Sequence, residues 1–275
     1  MNNFRPQGFS LLPSVVKNLL IINGLVFVTT YVLQNTIGLD LTKYFALYFP
    51  GSDSFKPHQL ITHLFMHGNF FHLFSNMLAL WMFGSTLENF WGPKRFFIFY
   101  FVTGLGAAFL HTAVQYAEII PLQNAISDYL SNPTPASFEA FTFQHVPSNF
   151  KPVFVQLVDA WNANPNSISI KDNTITIAKE LANIRTNVPT VGASGAVFGL
   201  LLAFGMLFPN TLIYIYFFFP LKAKYFVALY GAFELYSGIQ NNPSDNVAHF
   251  AHLGGMLFGF ILIKIWNKSN RQHFY

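Results

Sequence analysis

Val191-Gly-Ala-Ser-Gly-Ala-Val-Phe-Gly-Leu-Leu-Leu-Ala-Phe-Gly-Met-Leu-Phe-Pro-Asn210 is the stretch whose reading decides the fold. It carries no charge, and the charge-free run around it extends from Arg185 to Lys222. About 20 apolar residues cross the hydrocarbon layer of a membrane, so this run is too long for one helix. Pro209-Asn210 divides it. The expectation is a span from Ser194 to Phe208, followed by an interfacial connection over Thr211–Pro220.

Working outward, further charge-poor runs mark further spans, because a charge at mid-bilayer is costly. One lies between Lys17 and Asp40, and a second between Lys56 and Glu88, with a polar, histidine-rich start. A third runs from Phe96 to Tyr116. The Ser194 span is the fourth, Tyr225–Ile239 the fifth with Glu234 inside it, and Val247–Trp266 the sixth. The fold class expected is therefore all-α, a polytopic bundle of six transmembrane helices, with residues 1–275 as one membrane domain.

Composition agrees. Hydrophobic residues make up 52% of the 275 residues and charged ones only 9%, against roughly 25% charged in soluble proteins. Such a chain cannot cover its surface with polar groups, so the lipid bilayer is its first partner. The net charge of +4 comes from Lys and Arg standing singly or in pairs, with no basic stripe, which argues against nucleic acid. Cysteine is absent, which excludes disulfides and thiol catalysis.

Lys and Arg in short flanks set the direction of the spans. Arg5, Lys17, Lys94, Arg95, Lys222, Lys224, Lys264, Lys268 and Arg271 fall on one side, and only Lys43 and Lys56 on the other. Both termini are expected in the cytoplasm, with spans two, four and six running inward. No Arg-rich transit segment is evident, which suggests a bacterial plasma membrane. Residues 117–187 form an external insertion between the third and fourth spans, rich in Asn-Pro and Ser-Asn turn signals. Ser137–Phe143 and Val153–Trp161 suit short amphipathic helices, whereas Ser167–Ile177 fits a helix or a hairpin equally well.

Polar groups inside apolar spans need a reason. His63, His67, His72 and Asn76 open the second span, Gly192-Ala193-Ser194-Gly195 the fourth, and His249 and His252 the sixth. All three clusters begin inward-running helices and so share one shallow level. Gly195 with Gly199, and Gly255 with Gly259, form G-x-x-x-G pairs that let two backbones approach. If the fourth and sixth spans meet there, Ser194 and His252 sit at the same end of the contact. A hydroxyl beside an imidazole suffices for acyl transfer. His249, three residues from His252, competes as the base. His72 and Asn76 share a helix face and, with the Ser194 N–H, could bind an oxyanion. His63, His67 and the Gln59–Thr62 stretch suit a wet cavity. Asp245 and Glu88 are badly placed for a third catalytic member, so the expectation is a dyad. Glu234, near Tyr230 and Tyr236, is expected to snorkel or find a polar partner, and Glu88 to bond backbone at a helix end.

With these pieces assembled, the chain resembles the rhomboid family of intramembrane serine proteases. The matching residues are His72-Leu-Phe-Ser-Asn76 with Gly84 and Glu88, then Gly192-Ala-Ser194-Gly195. Ala251-His252-Leu-Gly254-Gly255 with Gly259 completes the set. The resemblance implies a serine endopeptidase that cuts single-pass transmembrane substrates near the external membrane face through an acyl-enzyme. In that reading Ser194 is the nucleophile, His252 the base, and His72 and Asn76 stabilise the oxyanion, with no cofactor and no metal. Phe198, His67, Gly195 and Gly255 support them. It further implies access to the serine through movement of the fifth span or the loop before the sixth. Three departures stand out: Lys56-Pro57-His58-Gln59 lies where the family often has Trp-Arg, Phe198 replaces a tyrosine over the base, and the insertion is long.

Two rival classes compete. His63-x-x-x-His67 and His249-x-x-His252 have ligand-like spacing for a membrane metalloenzyme, which leaves the Gly-Ala-Ser-Gly element without a task. A catalytically silent relative that only binds membrane segments has no need of an oxyanion hole. A channel would carry polar groups across the whole bilayer, not at one level.

Overall fold

Pro13 offers no side chain to cap the helix that follows it, α1 (Ser14–Ile37). Glu88 supplies the cap from elsewhere: its carboxylate accepts from the Val15 and Val16 N–H groups at 3.0 and 2.8 Å and from the Ser14 hydroxyl at 3.2 Å. A carboxylate there also meets the positive end of the helix dipole. Glu88 thus bonds backbone, at the start of a neighbouring helix. Within α1 the Asn23 amide donates to the Leu19 carbonyl and the Thr30 hydroxyl to the Val26 carbonyl, both at 2.8 Å, while the Asn23 Oδ1 is buried with no partner among the described residues. Ile21, Leu25, Val28 and Tyr31 face outward.

The computed structural model describes residues 9–146, 151–215, 218–240 and 247–271, with side chains as far as 268. Arg5, Phe217, Asp245 and the 241–246 segment before the sixth span lie outside the described residues. Two compact units are found, one of residues 1–47, 56–111 and 189–275, the other of 48–55 and 112–188.

In the first unit, α1 is followed by α2 (Thr42–Phe45) and α3 (Gln59–Thr62), and then by a 3₁₀ turn over His63–Phe65. The second span was expected to open at His63. It opens instead at Phe70, because Asn69 is an extended N-cap whose side chain accepts from the His72 N–H. His63 and His67 therefore precede the helix. From there α4 (Phe70–Ala79) passes through a π-helical turn, Leu80–Gly84, into α5 (Ser85–Trp91). Next comes α6 (Pro93–Ser131), continuous over 39 residues through Pro121, so the helix of the third span extends beyond Tyr116.

The serine-bearing helix is α10 (Ser194–Leu207), with ten of its 14 residues buried. At about 1.5 Å per residue it is only about 21 Å long, so one end stops inside a hydrocarbon layer roughly 30 Å thick. Burial on nearly all sides explains why it is apolar all round. The connection after it is a small antiparallel hairpin, Leu212–Ile215 with Phe219–Lys222, where only an interfacial segment was expected. The last helices are α11 (Ala223–Gln240) and α12 (His249–Arg271). Among the described residues, four helical stretches are long and apolar enough to cross a membrane: Ser14–Ile37, Phe70–Trp91, Pro93–Ser131 and His249–Lys268. The architecture is an all-α polytopic bundle in which α10 and α11 complete the set.

Glycines let α10 and α12 touch. A Cβ on Gly255 would fall 1.8 Å from the Gly195 carbonyl oxygen, and one on Gly259 3.4 Å from Gly199. The far side of the same α10 glycines is occupied by α6. Cβ atoms there would lie 2.3 Å from Ala107 and 2.6 Å from Thr103.

The second unit holds the C-terminal part of α6 with α7 (Pro135–His145), α8 (Lys151–Ala163) and α9 (Ile168–Thr186). The Ser167–Ile177 stretch is helical, started by the Ser167 side chain accepting from the Ile170 N–H. A capping box between Thr134 and Ser137, with Pro135 in the first turn, starts α7. Tyr129, Phe138, Phe141, Val158 and Trp161 pack into this unit's own core. It also takes in 48–55, a segment that no shift of composition marks.

Candidate functional site

Ser194 is the first residue of α10, so its N–H is among the donors that find no acceptor inside the helix. The chain reaches it through Gly192, whose φ of +120° suits glycine alone. A Cβ on Gly192 would also lie 2.7 Å from the His72 Nε2. The approach is pinned: Gly192 N–H donates to the His63 carbonyl at 2.9 Å, and Thr190 and Leu47 exchange two backbone bonds. The His111 ring meets the Thr190 hydroxyl at 3.0 Å. These bonds satisfy the non-helical backbone that leads into α10, as a segment enclosed by protein in a membrane bundle requires.

The His252 Nε2 lies 2.9 Å from the Ser194 Oγ. Phe198, one helical turn after the serine, lies parallel to the His252 ring at 4.0 Å and 7°. Behind the imidazole is a group the sequence reading did not assign to the site. Glu234 of α11 is 2% exposed, and its Oε2 sits 2.8 Å from the His252 Nδ1 and 2.6 Å from the His249 Nδ1. The expectation that no acidic residue reaches the base is thus corrected, since α11 packs against α12 and turns Glu234 inward. His249 is held by the same carboxylate and not by Ser194. A signal for this was available. The fifth and sixth spans are consecutive, so a glutamate late in one reaches the level at which the next begins.

His72 is half-buried, its ring 5.1 Å from that of His67. Asn76 is buried and donates one amide proton to the His72 carbonyl at 2.9 Å, which leaves its second amide proton for another acceptor. His67 is buried, and neither of its ring nitrogens meets a protein partner among the described residues. His63 donates from Nδ1 to the Gln59 carbonyl at 2.8 Å. A cavity of about 20 Å³ adjoins the serine, lined by His63, Thr190, Gly192, Ser194 and Ala251 among others. That is room for a water molecule.

Fold and site together define a polytopic helical membrane protein with a serine hydroxyl on a buried imidazole. The family model described as the Rhomboid domain matches residues 54–121 and 170–268, more than half of the chain, and the chain belongs to the rhomboid family. It is 26% identical over 217 residues to an uncharacterized mitochondrial rhomboid protein of Schizosaccharomyces pombe, covering 77% of this chain and 52% of that one. It is 25% identical over 262 residues to the mitochondrial RHOMBOID-like protein 12 of Arabidopsis thaliana, covering 94% of this chain and 60% of that one. The chain thus spans little more than half the length of these relatives. Both are mitochondrial by name, and neither supports the bacterial plasma membrane expected above.

Proposed function

We infer that this protein is an intramembrane serine endopeptidase. The observation that carries the reading is the Ser194 Oγ lying 2.9 Å from the His252 Nε2. The His252 Nε2 takes the hydroxyl proton as Oγ adds to the scissile carbonyl. The tetrahedral adduct collapses when the imidazolium returns that proton to the departing amine, leaving Ser194 acylated. Water then repeats the sequence and frees the acid. The Ser194 N–H, the Asn76 amide and the His72 ring supply donors toward the oxyanion, each contributing about two to three powers of ten.

The substrates proposed are single-pass membrane proteins whose helix unwinds beside the start of α10. The short α10 and its pinned approach loop support a serine below the membrane surface, where a soluble chain does not reach. His63, the His67 ring nitrogens that meet no protein partner among the described residues, and the cavity beside the serine favour water here. The orientation proposed keeps both termini on the Lys- and Arg-rich side. That holds in a mitochondrial inner membrane as in a bacterial one, since in both the positive flanks stay on the negative inner side.

Purified protein in liposomes, with a tagged transmembrane substrate, tests the reading. Cleavage should resist chelator and vanish in Ser194→Ala and in His252→Ala. Cleavage that survives Ser194→Ala, or that stops with chelator, would sink the serine mechanism. Absence of cleavage across several substrates would favour a silent binder.

A further inference from the structure

A carboxylate buried in an apolar bundle is costly unless it is fully bonded. Glu234 is buried among helices and directs one oxygen at two imidazole nitrogens. An ionised carboxylate only accepts hydrogen bonds, so both Nδ1 atoms must carry protons. For His252 this fixes the tautomer. With the proton on Nδ1, the lone pair of Nε2 faces the Ser194 hydroxyl, which is the arrangement a general base needs. The ring is held on three sides: Glu234 at Nδ1, Ser194 at Nε2, and the Phe198 face at 4.0 Å. His249, the second donor to the same oxygen at 2.6 Å, clamps the carboxylate in place.

We propose that Glu234 is a positioning residue that completes a Ser194–His252–Glu234 triad, with His249 as the clamp on its carboxylate. This rests on the serine endopeptidase reading and deepens it. When the Ser194 proton moves to Nε2, His252 becomes a cation. Glu234 remains ionised and stabilises that cation through the Nδ1–H bond, while no proton passes to the carboxylate. The same three side chains also offer ligand atoms within 4.8 Å of one another, as a divalent cation would require. Those same atoms hydrogen-bond one another directly.

The test compares the full chain with its Glu234→Gln variant in liposomes. The glutamine oxygen can take the same two hydrogen bonds but carries no charge. The expected result is a kcat lower by about 10- to 100-fold, the value of one bond to a charged group. KM should be unchanged, and Ser194 labelling by a fluorophosphonate should slow by a similar factor. Equal kcat in both proteins would overturn the triad while leaving the protease reading intact. A wild type that is neither labelled nor active would overturn both. Activity lost with chelator and regained with zinc would also overturn the triad in favour of ligation. Because Glu234→Gln could fail to fold, the unsubstituted protein supplies a second measurement. Nitrogen-15 histidine spectra in nanodiscs, assigned by the resonances lost in His252→Asn, should show a protonated, strongly bonded Nδ1. A resting His252 with its proton on Nε2 would overturn the proposal.

Discussion

The Gly195 carbonyl oxygen and the Gly255 Cα lie in direct contact across α10 and α12, so that a Cβ on Gly255 would approach that oxygen to 1.8 Å. The obstacle is backbone, which cannot swing aside as a flexible side chain can. Since Ser194 and His252 stand within a turn of this contact, their hydrogen bond depends on it. Gly255→Ala should lower stability by about 3 kcal/mol or more, at the upper end for overpacking, and abolish Ser194 labelling. As a control, Gly231→Ala meets only the flexible end of Met256 at 3.1 Å. It should lose less than about 1 kcal/mol. Thermal unfolding in detergent with parallel fluorophosphonate labelling reads both.

Phe198 presents a flat apolar face to His252, and the Tyr230 ring lies tilted against it at 4.9 Å. Stacking needs a ring but not a hydroxyl. Phe198→Tyr should therefore keep activity within about threefold, whereas Phe198→Ala should lose about 3 kcal/mol of stability and most of kcat. A large loss in Phe198→Tyr with normal unfolding would show that the stacking account is wrong.

Asn76 has one amide proton on the His72 carbonyl and a second to offer. If that proton binds the oxyanion, its effect appears only in the transition state. Asn76→Ala should cut kcat by about 10²- to 10³-fold with little change in KM. The same pattern is expected for His72→Ala. Steady-state kinetics in proteoliposomes distinguish this from a substrate-binding role, which would raise KM instead.

Glu88 is far from the chemistry and caps α1 through two backbone N–H groups. Glu88→Ala should cost about 1–3 kcal/mol, because two donors lose a charged acceptor in a buried place. Labelling of Ser194 at a temperature where the variant remains folded should match wild type. A variant as stable as wild type would show that water replaces the cap.

The second unit has its own core around Tyr129, Phe138 and Trp161 and contributes none of the residues assigned to the site. Shortening Leu122–Ala178 should leave Ser194 reactive toward the fluorophosphonate while changing which membrane substrates are cut. Unchanged cleavage of every substrate in a panel would reduce the segment to a spacer.

How much of this was legible differs from residue to residue. Charge-free runs divided by Lys, Arg and Pro locate the membrane helices, because the cost of a charge in lipid depends on local sequence alone. The glycine periods of Gly195/Gly199 and Gly255/Gly259 likewise mark a close helix contact, since only glycine leaves room for backbone against backbone. Serine, histidine and asparagine at the starts of alternate spans share a level as soon as the direction of each span is known. The helix start at Phe70 was misread from composition, because one N-cap side chain, Asn69, outweighs the apolar pattern around it.

Tertiary structure alone decided the partner of the base. Which face of α11 turns inward depends on its packing against α10 and α12, not on its own period, since that helix is apolar nearly all round. Glu234 is 15 residues from His249 and 18 from His252, on a different helix, and only the crossing of α11 with α12 brings its carboxylate to both rings. Sequence determined that this protein is a polytopic membrane protein and which of its helices carry polar residues. Rotation of each helix about its axis, set by contacts among all of them at once, decided which of those residues touch.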